Sequence, residues 1–336
     1  SSTSHGLGDV YKRQNECLTI GEPLVVFAAE EADVPLAAAK HFTKYLAGAE
    51  LNVAVGLSRL GHSVEYITHL GEDPNGIFIR QQLTAAGIGS DNVTTTSRYP
   101  TGIEFKARVT HGDPNTYYLR AGSAAAHFDP AAIDRIDLAG VKLAHITGIF
   151  PAASASTLAA TKRLMKRLIS NRILITFDPN LRPALWPDQN TMVTTINSLA
   201  KSASIVLPGA AEGKILVGSD DPETIAHFYL NQSEQTQLVI VKVGKQGAYL
   251  LGRDVPGQLL PSFPAEHIVD TVGAGDGFAL GVISALLEGR SPAEAASRGN
   301  AIGALAIQSP GDNTGYPTRQ QLDKFMQTSL NKTERA

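Results

Sequence analysis

The second half of the chain alternates between two hydrophobic patterns. From about Leu143 onward, short apolar runs rich in β-branched residues are separated by stretches in which apolar residues recur with helical spacing. The runs predict strands at 143–148, 172–178, 204–208 and 237–244, and the stretches predict helices at 153–170, 188–201 and 222–229. This alternation is typical of βαβ units, so it predicts one α/β domain with a doubly wound, mostly parallel sheet.

Local helix-start signals agree with this pattern. Asp221 followed by Pro222 is an N-cap with proline at the first helical position, which suits a helix start. Ser291 with Glu294, and Thr318 with Gln321, have the spacing of capping boxes and predict two late helices.

The first third of the chain shows a different pattern. Residues 101–110 and 115–121 alternate apolar and polar side chains around the turn sequence HGDPN, which predicts a β-hairpin with one solvent-facing side. Residues 24–47 are expected to supply further strands, although the Ala-rich sequence LAAAKHFTKYLAG is also compatible with partial helix. The sequence therefore predicts a small β-sheet lid, drawn from about 24–47 and 101–122.

Composition narrows the class of protein. Of the 336 residues, 43% are hydrophobic and 18% charged, with a net charge of −3, so neither a nucleic-acid footprint nor a polybasic membrane patch is indicated. Cys17 is the single cysteine, which excludes an internal disulfide and a cysteine-based zinc site. Since no apolar stretch approaches the roughly 20 residues of a membrane helix, we expect a cytoplasmic protein that binds a small molecule.

The two ends carry neither strand nor helix patterns. Residues 1–16 lack an initiator Met and are expected to be a non-native or disordered leader. The domain is expected to span 17–328, and 329–336 to be a disordered tail.

The sequence DTVGAGDGFALG at 270–281 combines small residues and acids at the start of an apolar helix, after a predicted strand at 265–270. Small residues let backbone amides converge at the positive end of that helix, where a phosphate or a developing negative charge is stabilised. Asp276 is then either a helix cap or a general base beside an anion site, and the residues alone leave both open. The loop lacks the Gly-Lys-Ser/Thr of a Walker A motif and is a poor dinucleotide fingerprint.

The whole loop resembles the C-terminal signature D-T-x-G-A-G-D-x-F of the ribokinase-like (PfkB) carbohydrate kinases. A second similarity, to that family's N-terminal motif, covers GAELNVAVGLSRLG at 48–61 and HLGEDPNG at 69–76. The resemblance spans about 17–328 and implies a Rossmann-like, ribokinase-like fold. It also implies transfer of the γ-phosphoryl group of ATP to a sugar hydroxyl. Asp276 would be the general base, and the amides of Gly273, Ala274 and Gly275 the anion hole.

One departure from the family pattern suggests a branch. Where many members carry Asn-x-x-Glu, this chain has Gly209 and retains Glu212. This LPG-x-x-EG form, together with TYYLRAGSAA at 116–125, is similar to the 2-keto-3-deoxygluconate kinases. The resemblance implies a set of substrate-binding residues: Gly48, Ala49, Asn52, Tyr118, Arg120, Arg182 and Asp312.

A sugar acid needs a cationic partner, and an arginine can bind its carboxylate through two hydrogen bonds. Arg120 and Arg182 are the candidates for this contact. Simpler interpretations stay open: lid packing for Tyr118, a solvated strand end for Arg120, a turn for Asp178 and an exposed helix acid for Glu212.

The sequence KVGKQGAYL at 242–250 resembles the family's ATP loop, although Lys242 is equally compatible with a surface charge. The implied nucleotide-binding residues are Asn180, Lys242, Gly244, Gly247, Gly273, Gly275 and Asn300. Phosphoryl transfer requires Mg²⁺ on the nucleotide, bound through phosphates and waters with Glu212 as a ligand through water. The sequence leaves open whether a monovalent cation takes part.

An ATP-dependent kinase that converts 2-keto-3-deoxy-D-gluconate to its 6-phosphate is thus the leading hypothesis. The alternatives are a kinase for 5-dehydro-2-deoxygluconate, fructose or ribose, and a sugar-binding member without turnover. Because exposed lid strands often pair between subunits, a homo-oligomer, dimeric or higher, is expected.

Overall fold

The computed structural model describes residues 14–112, 114–265, 267–269, 271–309, 311 and 313–333. Thirteen strands form two sheets within these residues. The strands are β1 (Cys17–Ile20), β2 (Leu24–Ala32), β3 (Phe42–Ala47), β4 (Val64–Gly71), β5 (Val93–Thr96), β6 (Ile103–Arg108), β7 (Thr116–Leu119), β8 (Leu143–Thr147), β9 (Leu174–Asp178), β10 (Ile205–Val206), β11 (Leu238–Lys242), β12 (Ala248–Gly252) and β13 (Gln258–Leu260).

Nine α-helices belong to the same described ranges. They are α1 (Ala49–Arg59), α2 (Pro74–Ala85), α3 (Ala155–Ser170), α4 (Gln189–Ala200), α5 (Ala210–Leu216), α6 (Pro222–Asn231), α7 (Ala274–Leu287), α8 (Pro292–Ala306) and α9 (Arg319–Thr333). Several begin at side chains that accept a hydrogen bond from a first-turn amide, as Asp221 does for α6 and Ser291 for α8. The predicted capping box of Ser291 and Glu294 is formed, so the local start signals identified real helix boundaries.

The larger sheet has nine strands in the order β13-β12-β11-β10-β9-β8-β1-β4-β5. Neighbours from β5 to β11 run parallel, and β12 and β13 extend the sheet antiparallel. Its central strands are buried on both sides, which explains why they read as continuous apolar runs rather than as alternation. The predicted α/β fold with a doubly wound, mostly parallel sheet is confirmed.

Each face of this sheet is covered by its own hydrophobic core. Along β11, Leu238 and Ile240 belong to the core formed with α1, α7 and α8, whereas Val239 and Val241 belong to the core formed with α3, α4 and α6. Parallel strands therefore end together at one edge between two helical layers. That edge is where ligands bind in open α/β sheets.

The smaller sheet, called the lid from here on, has the order β3-β2-β6-β7. β2 pairs antiparallel with β3 and β6 pairs antiparallel with β7, while β2 and β6 are parallel. The predicted hairpin and lid are confirmed, and residues 42–47 form a strand, not the partial helix that the Ala-rich sequence at 36–48 also allowed. Phe27 and Phe105 stack across neighbouring strands with ring centroids 5.4 Å apart, which gives the lid a small apolar face.

One predicted strand is wrong. Residues 265 and 267–269 form no strand, and Glu266 and Asp270 lie outside the described residues. Ile268 and Val269 are exposed, and the Val269 amide donates to the Ile307 carbonyl at 2.8 Å rather than to a neighbouring strand. The apolar pattern fails here because, in the described part of the chain, the sheet offers this segment no ladder partner.

Some residues of the expected leader and of the expected tail belong to the folded structure. Asn15 donates to the Glu65 carboxylate at 3.0 Å, and the Glu16 amide donates to the Ser63 carbonyl at 3.2 Å, so residues 14–16 of the expected leader lie against the start of β4. At the other end α9 continues to Thr333, into the segment 329–336 that the sequence analysis assigns to a tail. None of the helices within the described ranges is long and apolar enough to cross a membrane.

Candidate active site

The glycine-rich loop leads directly into the amino terminus of α7. Gly273 is the N-cap and has φ +80°, a left-handed conformation that favours glycine. The Tyr316 hydroxyl donates to the Gly273 carbonyl at 2.8 Å and fixes this turn. The first amides of a helix have no acceptor within the helix, so those of Ala274, Gly275 and Asp276 lie at its positive end.

The Asp276 carboxylate is held by two side-chain amides from different parts of the chain. Asn52 on α1 donates to Oδ2 at 2.9 Å, and Asn180 after β9 donates to Oδ1 at 3.2 Å. Asn313 in turn donates to the Asn52 Oδ1 at 2.9 Å, which sets the orientation of the Asn52 amide. These contacts fix the plane of the carboxylate at the mouth of α7.

Lys242 brings a positive charge to the same place. It is the last residue of β11, and its Nζ donates to Oδ2 of the buried Asp178 at 2.6 Å. A methyl group on Gly275 would lie 3.9 Å from that Nζ, so the ammonium adjoins the amides of the loop. Burial alone would lower the pKa of Lys242, but the charges of Asp178 and Glu212 raise it above its ordinary value. Lys242 is therefore a charged group at the carboxyl edge of the sheet, not a surface lysine.

Glu212 lies in the first turn of α5 and bonds to two backbone amides. Its Oε2 accepts from the Gly209 amide at 2.7 Å and its Oε1 from the Leu181 amide at 2.8 Å. Burial raises the pKa of Glu212, with the charge of Lys242 acting in the opposite direction. The carboxylate thus caps its own helix and holds the loop that carries Asn180 and Arg182.

The described residues contain no group of three or more His, Cys, Asp or Glu side chains that could hold a metal ion. Glu212, close to Lys242 and Asp178, offers a carboxylate oxygen, the type of ligand that Mg²⁺ takes together with phosphates and waters.

On the other side of Asp276, α1 begins next to the lid. Gly48 has φ +133°, and a Cβ there would lie 3.0 Å from the Glu22 carbonyl, so only glycine suits this position. Ala49 follows as the first, buried residue of α1. Arg120, just after β7, donates through Nε and Nη2 to Oε2 of the buried Glu22 at 2.8 and 2.5 Å. Arg120 is therefore part of an ion pair rather than a solvated strand end.

Tyr118 and Arg182 are exposed. Tyr118 has 48% of its surface accessible and lies opposite Glu104 in the lid. The Arg182 Nη1 donates to the neighbouring Leu181 carbonyl at 3.0 Å. Asp312 lies outside the described residues.

The predicted ATP loop forms a tight turn between β11 and β12. Gly244 and Gly247 have φ +59° and +111°, and a Cβ on Gly247 would overlap the Leu260 carbonyl. Asn300 on α8 donates to the Leu260 and Pro261 carbonyls at 3.0 and 3.1 Å. Gly247 and Asn300 therefore meet at the end of β13.

The structure brings Asn52, Asn180 and Lys242 to Asp276 and places Gly48 and Arg120 at Glu22, whereas Gly247 and Asn300 meet elsewhere and Tyr118 and Arg182 are exposed. Three partner residues were missing from the predicted set. Asp178 holds Lys242, Asn313 orients Asn52, and Glu22 holds Arg120. Asp178 carried a signal, because an acid at the end of a buried parallel strand lies at the ligand edge of the sheet. Glu22 and Asn313 depend on partners 98 and 261 residues away in sequence.

Comparisons with known proteins identify the family. The family model for pfkB family carbohydrate kinases matches residues 14–319. The chain therefore belongs to the pfkB family of carbohydrate kinases.

Among curated proteins, it is 44% identical over 312 residues to a 2-dehydro-3-deoxygluconokinase of Bacillus subtilis, covering 93% of this chain and 95% of that protein. Among solved structures, a PfkB protein from Polaromonas superposes with a TM-score of 0.84 at 42% identity, covering 92% of this chain and 99% of that chain. A proposed ribokinase II from E. coli in complex with ATP and Mg²⁺ has a TM-score of 0.84 at 25% identity, covering 94% of this chain and 99% of that chain.

Proposed function

We propose that this kinase transfers the γ-phosphoryl group of ATP to the 6-hydroxyl of 2-keto-3-deoxy-D-gluconate. The observation that carries the proposal is an aspartate, Asp276, oriented by Asn52 and Asn180 at the positive end of α7 with the Lys242 ammonium beside it. Similarity at 44% identity to a 2-dehydro-3-deoxygluconokinase supports this choice among sugar substrates.

Two arginines support a sugar acid as acceptor. In the proposal, Arg120 and Arg182 bind the carboxylate of the substrate, and Tyr118 contacts it from the lid. Gly48, Ala49, Asn52 and Asp312 complete the acceptor site. A neutral sugar would offer no carboxylate to Arg182, whose Nη1 donates to the Leu181 carbonyl, while Arg120 would keep its ion pair with Glu22.

Asp276 acts as general base in the proposed step. Its carboxylate takes the proton of the 6-hydroxyl while that oxygen attacks the γ-phosphorus, and the bond to the β-γ bridging oxygen breaks to release ADP. The amides of Gly273, Ala274 and Gly275, together with Lys242, stabilise the charge on the transferred group. Asn180, Gly244, Gly247 and Asn300 are assigned to the nucleotide side.

Mg²⁺ supplies charge neutralisation on the ATP phosphates when it is bound. Glu212 is the carboxylate assigned to its water shell. The related structure in complex with ATP and Mg²⁺ supports the choice of cation. The same proposal places the enzyme in the cytoplasm.

A homo-oligomer formed through the lid belongs to the proposal as well. The support is a set of half-exposed large side chains on the lid: Tyr45, Tyr117, Tyr118 and Leu119. Molar mass from light scattering tests it, since a mass of about 35.6 kDa would identify a monomer and exclude lid pairing.

An ADP-release assay across gluconate-derived keto acids, fructose, ribose and adenosine tests the substrate. We expect 2-keto-3-deoxygluconate to give the largest kcat/KM. Arg182→Ala should raise KM for the acid by about tenfold or more, because a charge-assisted contact is lost, and should change KM for a neutral sugar much less.

The matched control is Arg290→Ala, which removes an exposed arginine that pairs with Glu288 and Glu294. It should leave both KM values unchanged. A higher kcat/KM on fructose or ribose than on every keto acid would refute the sugar-acid assignment.

A further inference from the structure

The polypeptide crosses between the nine-stranded sheet and the lid four times. The crossings lie between β1 and β2, between β3 and α1, between β5 and β6, and after β7. Any movement of the lid must change the backbone at these four places, so a residue that contacts all of them controls the position of the lid.

Glu22 is such a residue. It lies in the first crossing, and its carbonyl abuts Gly48 in the second. A Cβ on Gly102, in the third, would lie 2.7 Å from the Glu22 Oε1. In the fourth, Arg120 donates twice to Oε2 and the Ser123 hydroxyl donates to Oε1 at 2.6 Å.

Burial makes this arrangement depend on charge. The Glu22 side chain is only 1% exposed and the Arg120 side chain 14%, so water solvates neither charge well. Glu50, a second buried acid nearby, accepts from the Thr147 hydroxyl, and its burial raises its pKa. Glu22 is therefore the acid that meets the cation, and removal of its charge leaves a buried guanidinium without a counterion.

The ion pair also fixes which edge of Arg120 remains for a ligand. Nε and Nη2 both donate to one Glu22 oxygen. These two hydrogen bonds fix the plane of the guanidinium group. Nη1 has no hydrogen-bond acceptor among the described residues.

We propose that Glu22 is a positioning residue that anchors the four crossings of the lid and orients Arg120 so that its Nη1 edge binds the carboxylate of the acceptor. The assignment of that acceptor carboxylate rests on the proposed function, whereas the anchoring of the lid does not.

The test compares Glu22→Gln with Glu288→Gln. Glu288 bonds to Arg298 and Arg319 and belongs to no strand or crossing of the lid, so this control breaks a carboxylate–arginine pair elsewhere in the fold. Glu22→Gln should raise KM for the sugar acid about tenfold and KM for ATP less than about twofold. It should also speed amide hydrogen exchange in 103–108 and 116–119, whereas Glu288→Gln changes neither.

A second experiment introduces Glu22→Gln into an Arg120→Ala background. If Glu22 acts on the substrate through Arg120, Glu22→Gln adds no further rise in KM in an Arg120→Ala background. A full additional rise would overturn the orienting role. Exchange in the lid equal to that of Glu288→Gln would overturn the anchoring role, and this result needs no substrate, so it is independent of which sugar the enzyme phosphorylates.

Discussion

At the scale of single residues, Lys242 and Asp178 show how an ion pair is built into the end of a sheet. Both are the last residues of parallel strands, β11 and β9, and both meet at the carboxyl edge beside α7. Asp178 also accepts from the Asn180 amide at 3.1 Å, so the turn suggested by the sequence is real and the ion pair is added to it. The ion pair holds the Lys242 ammonium at the end of a strand, so the position of this charge does not depend on a flexible loop.

Replacement of Lys242 by methionine should lower both stability and turnover. The variant leaves Asp178 buried without its cation, which costs about 3–5 kcal/mol for a fully buried pair and less here, since the lysine side chain is 20% exposed. The double variant Lys242→Met/Asp178→Asn has no unpaired carboxylate at position 178, so its melting temperature should recover while kcat stays low. Recovery of kcat together with stability would show that Lys242 is only structural.

The role of Asp276 is tested by Asp276→Asn, which keeps the size and removes the base. We expect kcat to fall by about 10²–10⁴-fold with little change in melting temperature. The control is Asp221→Asn at the N-cap of α6, where asparagine caps nearly as well as aspartate. Equal kcat in Asp276→Asn and wild type would leave Asp276 with only a structural role, as the acceptor for Asn52 and Asn180.

At the scale of elements, α7 and α8 pack closely through glycine. A Cβ on Gly281 of α7 would lie 2.6 Å from the Arg298 carbonyl and 2.7 Å from the Gly299 Cα on α8. These are backbone atoms that cannot move aside as a side chain can. The two glycines therefore let the helices approach more closely than alanine would allow.

Gly281→Ala should destabilise the protein by about 1–3 kcal/mol through overpacking, measured by urea denaturation. Gly303→Ala on the same helix pair is the control. Its new Cβ would lie 3.5 Å from the Ala274 carbonyl, an ordinary contact, so it should be neutral or stabilising by up to about 1 kcal/mol. Equal effects of the two substitutions would contradict the packing argument.

At the scale of the whole molecule, Glu288 connects the last three helices. It follows α7 and bonds to Arg298 of α8 at 2.8 and 2.9 Å and to Arg319 of α9 at 2.5 Å. Partial burial alone would raise the pKa of Glu288, but the two arginines lower it to about 2. The ordinary value is 4.5, so the folded state favours the charged carboxylate.

Glu288 should therefore make part of the stability depend on pH. Its contribution is fully present above pH 4.5 and is lost as the pH falls toward about 2. The difference in unfolding free energy between wild type and Glu288→Gln should be largest near pH 7 and shrink with acidification. Glu234→Gln, which changes a 95% exposed acid paired with Arg253, should alter stability by less than about 1 kcal/mol. A constant Glu288→Gln difference from pH 7 to pH 3 would contradict the assignment.

The sequence by itself determined what depends on short stretches of chain. A local sequence pattern marks the strands buried on both sides, the capped helices and the glycine-rich turn before Asp276. Such patterns exist because the burial and backbone geometry of these elements are set within a few neighbouring residues. The same local logic failed at 265–270, where an apolar run lacks a partner strand within the described chain.

Only the tertiary structure decided which side chains share a site. Asn52 and Asp276 are 224 residues apart, and Glu22 and Arg120 are 98 apart. The pattern around each of these residues says nothing about its partner, because a hydrogen bond across the fold leaves no periodicity in the sequence. The sequence therefore located the loop that carries Asp276, and the packing of α1, α7 and the lid determined what surrounds it.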